Sequence, residues 1–337
     1  MIARILFIVG IVLAASCRLD FFGHDFPRVV WTGLQAAAVL WLVIALVQLG
    51  KAPLLAIPAL LLLYLFPLNL AHLEPAGIPN EPRLLTYLRA NNVVGASVGM
   101  HVKGRQYFAG YGGVRKFGAR PTPHTQYQIA SVTKIFTGHV LSENFDAALV
   151  PLATHSSGLP DITQGVGFPL RFLLHPFDYY AHYDAEDLAR DLVNFEEPGK
   201  RHALPKGKWR YSNIGFCLLG RELRMHERRF GNISYERSEQ LAAGYNAAGV
   251  RTALWSAGVC HGAGGLHASA ADLLDHVRRP SAAKEIYSDD GEHVMGLGWM
   301  FRDGIWYHSG ATFGNTAFVA HEPISDTAVV ILVSGVA

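Results

Sequence analysis

Charge is scarce in this chain. Asp, Glu, Lys and Arg make up 17% of its 337 residues, and the formal net charge is only +2. Basic residues occur as scattered pairs such as Arg228-Arg229, so there is no electrostatic footprint for nucleic acid. Cysteine is scarcer still: Cys17, Cys217 and Cys260 are too few and too irregularly spaced for a disulfide framework or a metal site. A Cys217–Cys260 bridge is open to a domain outside the cell, but it is not expected. The sixteen histidines contain no H-x-H-x-D or H-E-x-x-H arrangement, which argues against a metal enzyme. The glycines of Gly262-Ala263-Gly264-Gly265 do not follow the dinucleotide-binding spacing, so they read as close backbone packing and no cofactor is expected. No repeat or low-complexity tract is evident.

What is abundant is apolar surface: half of the residues are hydrophobic, and the mean hydropathy is +0.19. The excess lies at the front. Residues 29–50 and 52–71 run without a charge, each long enough to cross a bilayer as a helix. Residues 5–15 follow Arg4 and fit either a third span or a signal-peptide core, the former being preferred. The expected organisation is therefore a membrane anchor over 1–72 with two or three transmembrane helices, a proline-rich linker over 73–82, and a catalytic domain over 83–337. With Arg4 and Lys51 inside, the domain after the last span faces the extracytoplasmic side, although Arg18 and Arg28 in the first loop oppose that assignment. The membrane lipid bilayer is then one partner. The oligomeric state is open.

Within the domain, residues 81–91 read as a short amphipathic helix. Two apolar runs, 94–102 and 106–111, join at Lys103-Gly104, a hairpin signal. Four more strands are expected over 295–301, 304–308, 316–321 and 327–333, and the stretch between the two groups of strands reads as helical and loop-rich. The fold class is α+β: one antiparallel sheet built from both ends of the domain, flanked by helices and a mostly helical middle region.

Three short elements carry chemistry. Ser131-Val132-Thr133-Lys134 places a hydroxyl and an amine three residues apart, on one face of a helix if that segment is helical. That is the arrangement a serine nucleophile needs if a lysine is to take its proton. A serine three residues before a lysine recurs by chance roughly once in a chain of this size, and Ser281-Ala282-Ala283-Lys284 is such a repeat. Only the first tetrad is followed in order by Tyr211-Ser212-Asn213 and His308-Ser309-Gly310. Alone, Tyr211 also fits a packed aromatic, Asn213 a helix cap and His308 a satisfied histidine at a strand end.

Together with Leu152-Ala153-Thr154-His155-Ser156-Ser157-Gly158-Leu159-Pro160-Asp161, Gly262-Ala263-Gly264-Gly265-Leu266 and Gly296-Leu297-Gly298-Trp299, these elements resemble the class C β-lactamase and DD-peptidase (penicillin-binding) serine hydrolase superfamily. The resemblance implies a β-lactamase/transpeptidase-like fold and acyl transfer through Ser131. Lys134 or Tyr211 would act as the base, with Asn213, His308, Ser309 and Gly310 toward the substrate. The backbone N–H groups of Ser131 and Ala311 would form the oxyanion hole. It also implies that the loop bearing His155 shapes the cleft wall, leaving His155 a structural residue.

Where β-lactamases carry Lys-Thr-Gly this chain has His308-Ser309-Gly310, and a neutral imidazole weakens recognition of a substrate carboxylate. A peptidase or esterase acting on a small-molecule or peptide substrate is therefore expected ahead of a true β-lactamase. Against the family the scaffold is shortened: only 20 residues separate Lys134 from His155, and the sequence ends on a strand without the helix usually packed there. The alternative expectation is a catalytically weak or inactive, membrane-tethered binding protein of the same fold.

Overall fold

The first hairpin follows directly from its turn. Lys103 and Gly104 both adopt positive φ, 49° and 78°, the requirement of the tight turn whose twist matches that of its strands. It joins β1 (Gly95–Val102) to β2 (Arg105–Gly112). The computed structural model describes residues 75–91, 93–115, 118–162, 180, 183–196, 207–246, 249 and 251–335. The expected membrane segments over 5–15, 29–50 and 52–71 lie outside these. Among the described residues no helix is long and apolar enough to cross a membrane.

Eight strands form one sheet in the order β2-β1-β10-β9-β8-β7-β6-β5. β1 pairs antiparallel with β10 (Thr327–Ser334), so strands from both ends of the domain lie side by side in one antiparallel sheet, as expected. β8 (Ile305–Ala311) and β9 (Asn315–Glu322) continue it. The single strand expected over 295–301 is instead two, β6 (Val294–Met295) and β7 (Met300–Arg302), with β5 (Ser288–Asp289) beyond them. The reason lies at Gly298. Its φ is +71°, and a Cβ there would sit 2.7 Å from the carbonyl carbon of Lys134. Only glycine lets this turn dock against the backbone of the lysine's helix. A second sheet pairs β3 (Gln126–Gln128) with β4 (His267–Ser269).

Helix α1 (Glu81–Ala90) lies on one face of the large sheet, its Leu85 and Leu88 packed with Val98, Ala109 and Val333. The remaining helices belong to the other side: α2 (Thr133–Glu143), α3 (Val150–Ala153), α4 (Ala185–Glu196), α5 (Asn213–Glu222) and α6 (Ala270–Arg278). α2 is the hub. Nearly every residue from Thr133 to Leu141 is buried, so it is a core helix that reaches solvent only along its last turns, at His139, Ser142 and Glu143. Its Ile135 and Phe136 share a cluster with Ile214 and Phe216 of α5, Leu273 and Leu274 of α6, and Val319, Val330 and Leu332 of the sheet. Each such buried side chain contributes about 2 kcal/mol of apolar transfer.

Cys217 on α5 is disulfide-bonded to Cys260, a bridge the sequence spacing did not lead us to expect. Both half-cystines are buried. It ties α5 to the segment 260–266, which also hangs on α2: Thr137 donates to the Gly262 carbonyl (2.8 Å), and the Leu266 N–H donates to Thr133 Oγ1 (3.3 Å). Gly220 and Gly262 let these backbones touch, because a Cβ on Gly262 would meet the Gly220 nitrogen at 2.8 Å.

Candidate active site

A 3-10 turn, Ala130–Val132, leads into α2 and carries Ser131. The preceding residue, Ala130, has φ +45°, a left-handed conformation that costs a non-glycine residue of order 1 kcal/mol and occurs where the surroundings impose it. Here the imposing neighbour is β8. A Cβ on Gly310 would come within 2.7 Å of the Ser131 nitrogen and 2.9 Å of that of Val132. Gly310 therefore lets the strand pack closely against the turn that carries Ser131.

Ser131 is half-buried and Lys134, one turn on, fully buried. Lys134 Nζ lies 2.8 Å from Ser131 Oγ, 2.7 Å from Asn213 Oδ1 and 2.8 Å from the Ala263 carbonyl oxygen. As an ammonium it donates to all three. The amide oxygen and the carbonyl can only accept, so a neutral amine keeps its two N–H groups on them. Its lone pair is then left facing Ser131 alone. Burial lowers the Lys134 pKa to about 7, partly offset by the charge of Asp161, so a large share of amine is neutral at ordinary pH.

Tyr211 donates its phenol to Ser131 Oγ at 2.7 Å. Its pKa is pushed well above that of ordinary tyrosine, first by burial, with the charge of Asp161 adding to the effect and the Ser131 hydrogen bond opposing it. The phenol stays protonated. Of the two groups the sequence left open as base, Lys134 has the matched pKa, and Tyr211 is a proton donor to Oγ. The rings of Tyr211 and His155 pack with centroids 4.5 Å apart.

Asn213 is the first residue of α5. The cap is its neighbour Ser212, whose Oγ accepts the Gly215 N–H at 3.0 Å. The Asn213 amide oxygen faces Lys134 while its Nδ2 donates to Asp161 Oδ1 at 2.9 Å. His155 directs its hydrogen bonds to the segment before α5 and not to Ser131. Its Nδ1 accepts the Ser212 N–H (3.1 Å) and its carbonyl accepts the Arg210 N–H (2.7 Å), bracing the segment that presents Tyr211. Burial, then the charges of Lys134 and His308, hold its pKa well below that of free imidazole, so it is a neutral structural residue.

On β8, alternation puts His308 and Gly310 on the buried side and Ser309 and Ala311 on the other. His308 is 1% exposed, and its pKa is driven to about 3 by burial and by Lys134, against a hydrogen bond from the ring to the Ser309 carbonyl. No positive charge is available there. Ser309 lines a cavity of about 590 Å³ beside Arg83 and Tyr87 of α1, on the far face of the sheet from the Lys134 cluster. Ala311 sits where β8 has outrun β7, which pairs only with residues 305–307. The Thr312 N–H bonds to the Asn315 carbonyl of the β8–β9 turn, so by antiparallel alternation the Ala311 N–H points to the open edge.

The rival tetrad does not assemble. Ser281 Oγ caps its own turn, and Lys284 Nζ donates to the Val277 and Arg279 carbonyls and to His321. Burial lowers the Lys284 pKa to about 8 as well, so geometry and not titration separates the two lysines. Gly95-Ala96-Ser97-Val98-Gly99 has the spacing of a nucleophile elbow, but Ser97 lies in mid-strand, buried against Tyr127 and the Thr122 carbonyl. Among the described residues no cluster of His, Cys, Asp and Glu could hold a metal ion.

No protein-family model matches the chain, and no curated protein matches it. Solved structures do. A β-lactamase/D-alanine carboxypeptidase from Pseudomonas syringae superposes with a TM-score of 0.62 at 15% identity, covering 76% of this chain and 92% of that one. A class C β-lactamase from Rhodobacter sphaeroides gives 0.58 at 18% identity, covering 74% and 92%. An octameric penicillin-binding protein homologue from Pyrococcus abyssi gives 0.59 at 18% identity, covering 75% and 72%. The likeness is one of fold.

Proposed function

We propose that this chain, which has the fold of the class C β-lactamases and penicillin-binding proteins, is a serine hydrolase that cleaves an ester or amide through an acyl-enzyme on Ser131. One observation carries the reading. The two other partners of Lys134 are obligate acceptors, so the neutral amine has a single place for its lone pair, the Ser131 hydroxyl proton. Ser131 Oγ attacks the substrate carbonyl carbon as its proton passes to Lys134. The resulting oxyanion is held by the N–H groups of Ser131 and Ala311, the latter on the open edge of β8. Collapse expels the alcohol or amine, which takes a proton through Tyr211, replenished from Lys134. Water, deprotonated by Lys134, then attacks the acyl carbon, and as the acid leaves Lys134 returns that proton to Ser131 Oγ.

A neutral, buried His308 supplies no counter-charge for a carboxylate. That favours a peptidase or esterase over efficient β-lactam hydrolysis. We place the domain on the extracytoplasmic side, tethered by residues 1–72, a placement supported by the buried Cys217–Cys260 disulfide, since such bridges persist in oxidising compartments. The test is turnover of a p-nitrophenyl short-chain ester by the wild type beside Ser131→Ala. Loss in the variant supports the nucleophile; equal rates from two folded proteins reject it and leave a binding protein with a silent site. Fractionation of the full chain tests the tether: release by high salt alone would reject it.

A further inference from the structure

Asp161 ends the segment 152–161, and the family resemblance implies no role for it. In the structure its Oδ1 accepts three hydrogen bonds: from the Asn213 amide Nδ2 (2.9 Å), the Asn213 backbone N–H (3.2 Å) and the Ile162 backbone N–H (2.8 Å). The same loop holds the rest of the tripeptide. Ser212 Oγ donates to the Pro160 carbonyl at 2.8 Å, and the Ser212 N–H donates to His155 Nδ1. Tyr211-Ser212-Asn213 is therefore gripped along its length by residues 155–161.

A carboxamide has two ends, and nothing intrinsic to Asn213 decides which faces Lys134. A carboxylate can only accept, so Asp161 takes the NH₂ end and turns the oxygen toward Nζ. Turned the other way, the amide would present N–H to the ammonium of Lys134, with no bond there, or would take the lone pair of the neutral amine away from Ser131, and its oxygen would be repelled by Asp161. It would also leave the ammonium short of an acceptor. The bond to Asp161 further commits one Nδ2 proton that the resemblance had directed at the substrate amide.

We propose that Asp161 is the positioning residue of this site: by locking the Asn213 amide it sets both the orientation and the proton affinity of Lys134. The inference rests on the serine hydrolase reading for its kinetic consequences, but not for its geometry. The carboxylate acts through two bonds in series, Asp161–Asn213 and Asn213–Lys134, and its negative charge favours the ammonium. Asp161→Asn keeps the size and one acceptor but removes the charge. The expected result is a fall in the Lys134 pKa of about one pH unit, so that the acid limb of kcat/KM moves to lower pH. Asp161→Ala frees the amide, and kcat should drop about 100-fold with KM changed far less, the cost expected of a misaligned base.

Two measurements on the full chain test this. The first is the pH profile of ester turnover for the wild type, Asp161→Asn and Asp161→Ala. The second is an NMR titration of the Lys134 side chain in the wild type and Asp161→Asn, which needs no turnover. A downward shift of the Lys134 titration supports the proposal. An unmoved titration in folded Asp161→Asn overturns it, as does a loss of stability with an unchanged profile, the signature of a purely structural aspartate. If the wild type shows no Ser131-dependent turnover, the hydrolase reading fails, while the NMR titration still decides the role of Asp161.

Discussion

Raising the pH from about 5 to 9 should switch the site on in a single step, because one group at the nucleophile titrates in that range. The Lys134 pKa is lowered from 10.5 to about 7, with burial the leading cause. At its free value about one amine in 3,000 would be neutral at pH 7; in the folded site about half are. The gain in usable base is on the order of a thousandfold, equivalent to about 5 kcal/mol against the charged form. kcat/KM should thus fall about tenfold per pH unit below 7 and level off above about 8. The other candidates cannot imitate this limb. His308 titrates at about 3, His155 well below free imidazole, and Tyr211 stays protonated through the range.

The same shift has a stability counterpart. Between about 7 and 10.5 the unfolded chain holds a proton that the folded chain has released, so this group makes the fold more stable as pH rises through that window. The assay is nitrophenyl ester turnover read at the isosbestic wavelength of nitrophenol, with Ser131→Ala subtracted. A flat profile, or a limb that rises only near the pKa of free lysine, would refute Lys134 as the base.

Gly310→Ala should misplace the nucleophile, since its Cβ meets the backbone nitrogens of Ser131 and Val132 inside 3.0 Å. We expect about 1–3 kcal/mol lost in denaturant unfolding and kcat/KM down about 100-fold; a fully active, stable variant would remove the close-packing argument. Replacing both half-cystines should cost up to about 4 kcal/mol, the loop-closure value for a separation of 43 residues. Chemical denaturation of the double alanine variant measures it, and an unchanged midpoint would show that the bridge does not constrain the chain. His308→Lys should reveal whether the missing cation matters: turnover of carboxylate-bearing substrates should rise relative to neutral esters, and no change in that ratio would discount His308 as a specificity determinant.

The parts of the fold legible in the sequence are those fixed by local chemistry. The β1–β2 hairpin follows from a turn that needs two positive φ values, and β8, β9 and β10 read as strands between short turns. Spacing alone indicated that Ser131 and Lys134 lie one turn apart, although Ser131 stands on the 3-10 turn that leads into α2. What stayed hidden depends on distant contacts. β6 and β7 read as one strand because only the backbone of Lys134 explains why Gly298 must turn. The Cys217–Cys260 bridge joins residues whose separation says nothing about proximity.

Ala263 supplies a carbonyl, which has no residue signature, and Asp161 acts through an amide whose orientation no sequence shows. A tripeptide does not declare which face of a strand each residue occupies, so the burial of His308 and Gly310 and the exposure of Ser309 were not legible in it. The 20 residues between Lys134 and His155 proved enough: the end of α2, a 3-10 turn at Ala147–Leu149 and α3 fill them and deliver the loop of His155 and Asp161 to the site.

The central claim is that Ser131 becomes acylated, and the most direct measurement is mass spectrometry of the full chain quenched during turnover of a slowly hydrolysed activated ester. The account predicts one acyl group, mapped to the peptide containing Ser131, appearing faster as pH rises toward 8 and absent from Ser131→Ala. An unmodified Ser131 in protein that is turning over ester, or an adduct of equal yield in the alanine variant, would contradict it.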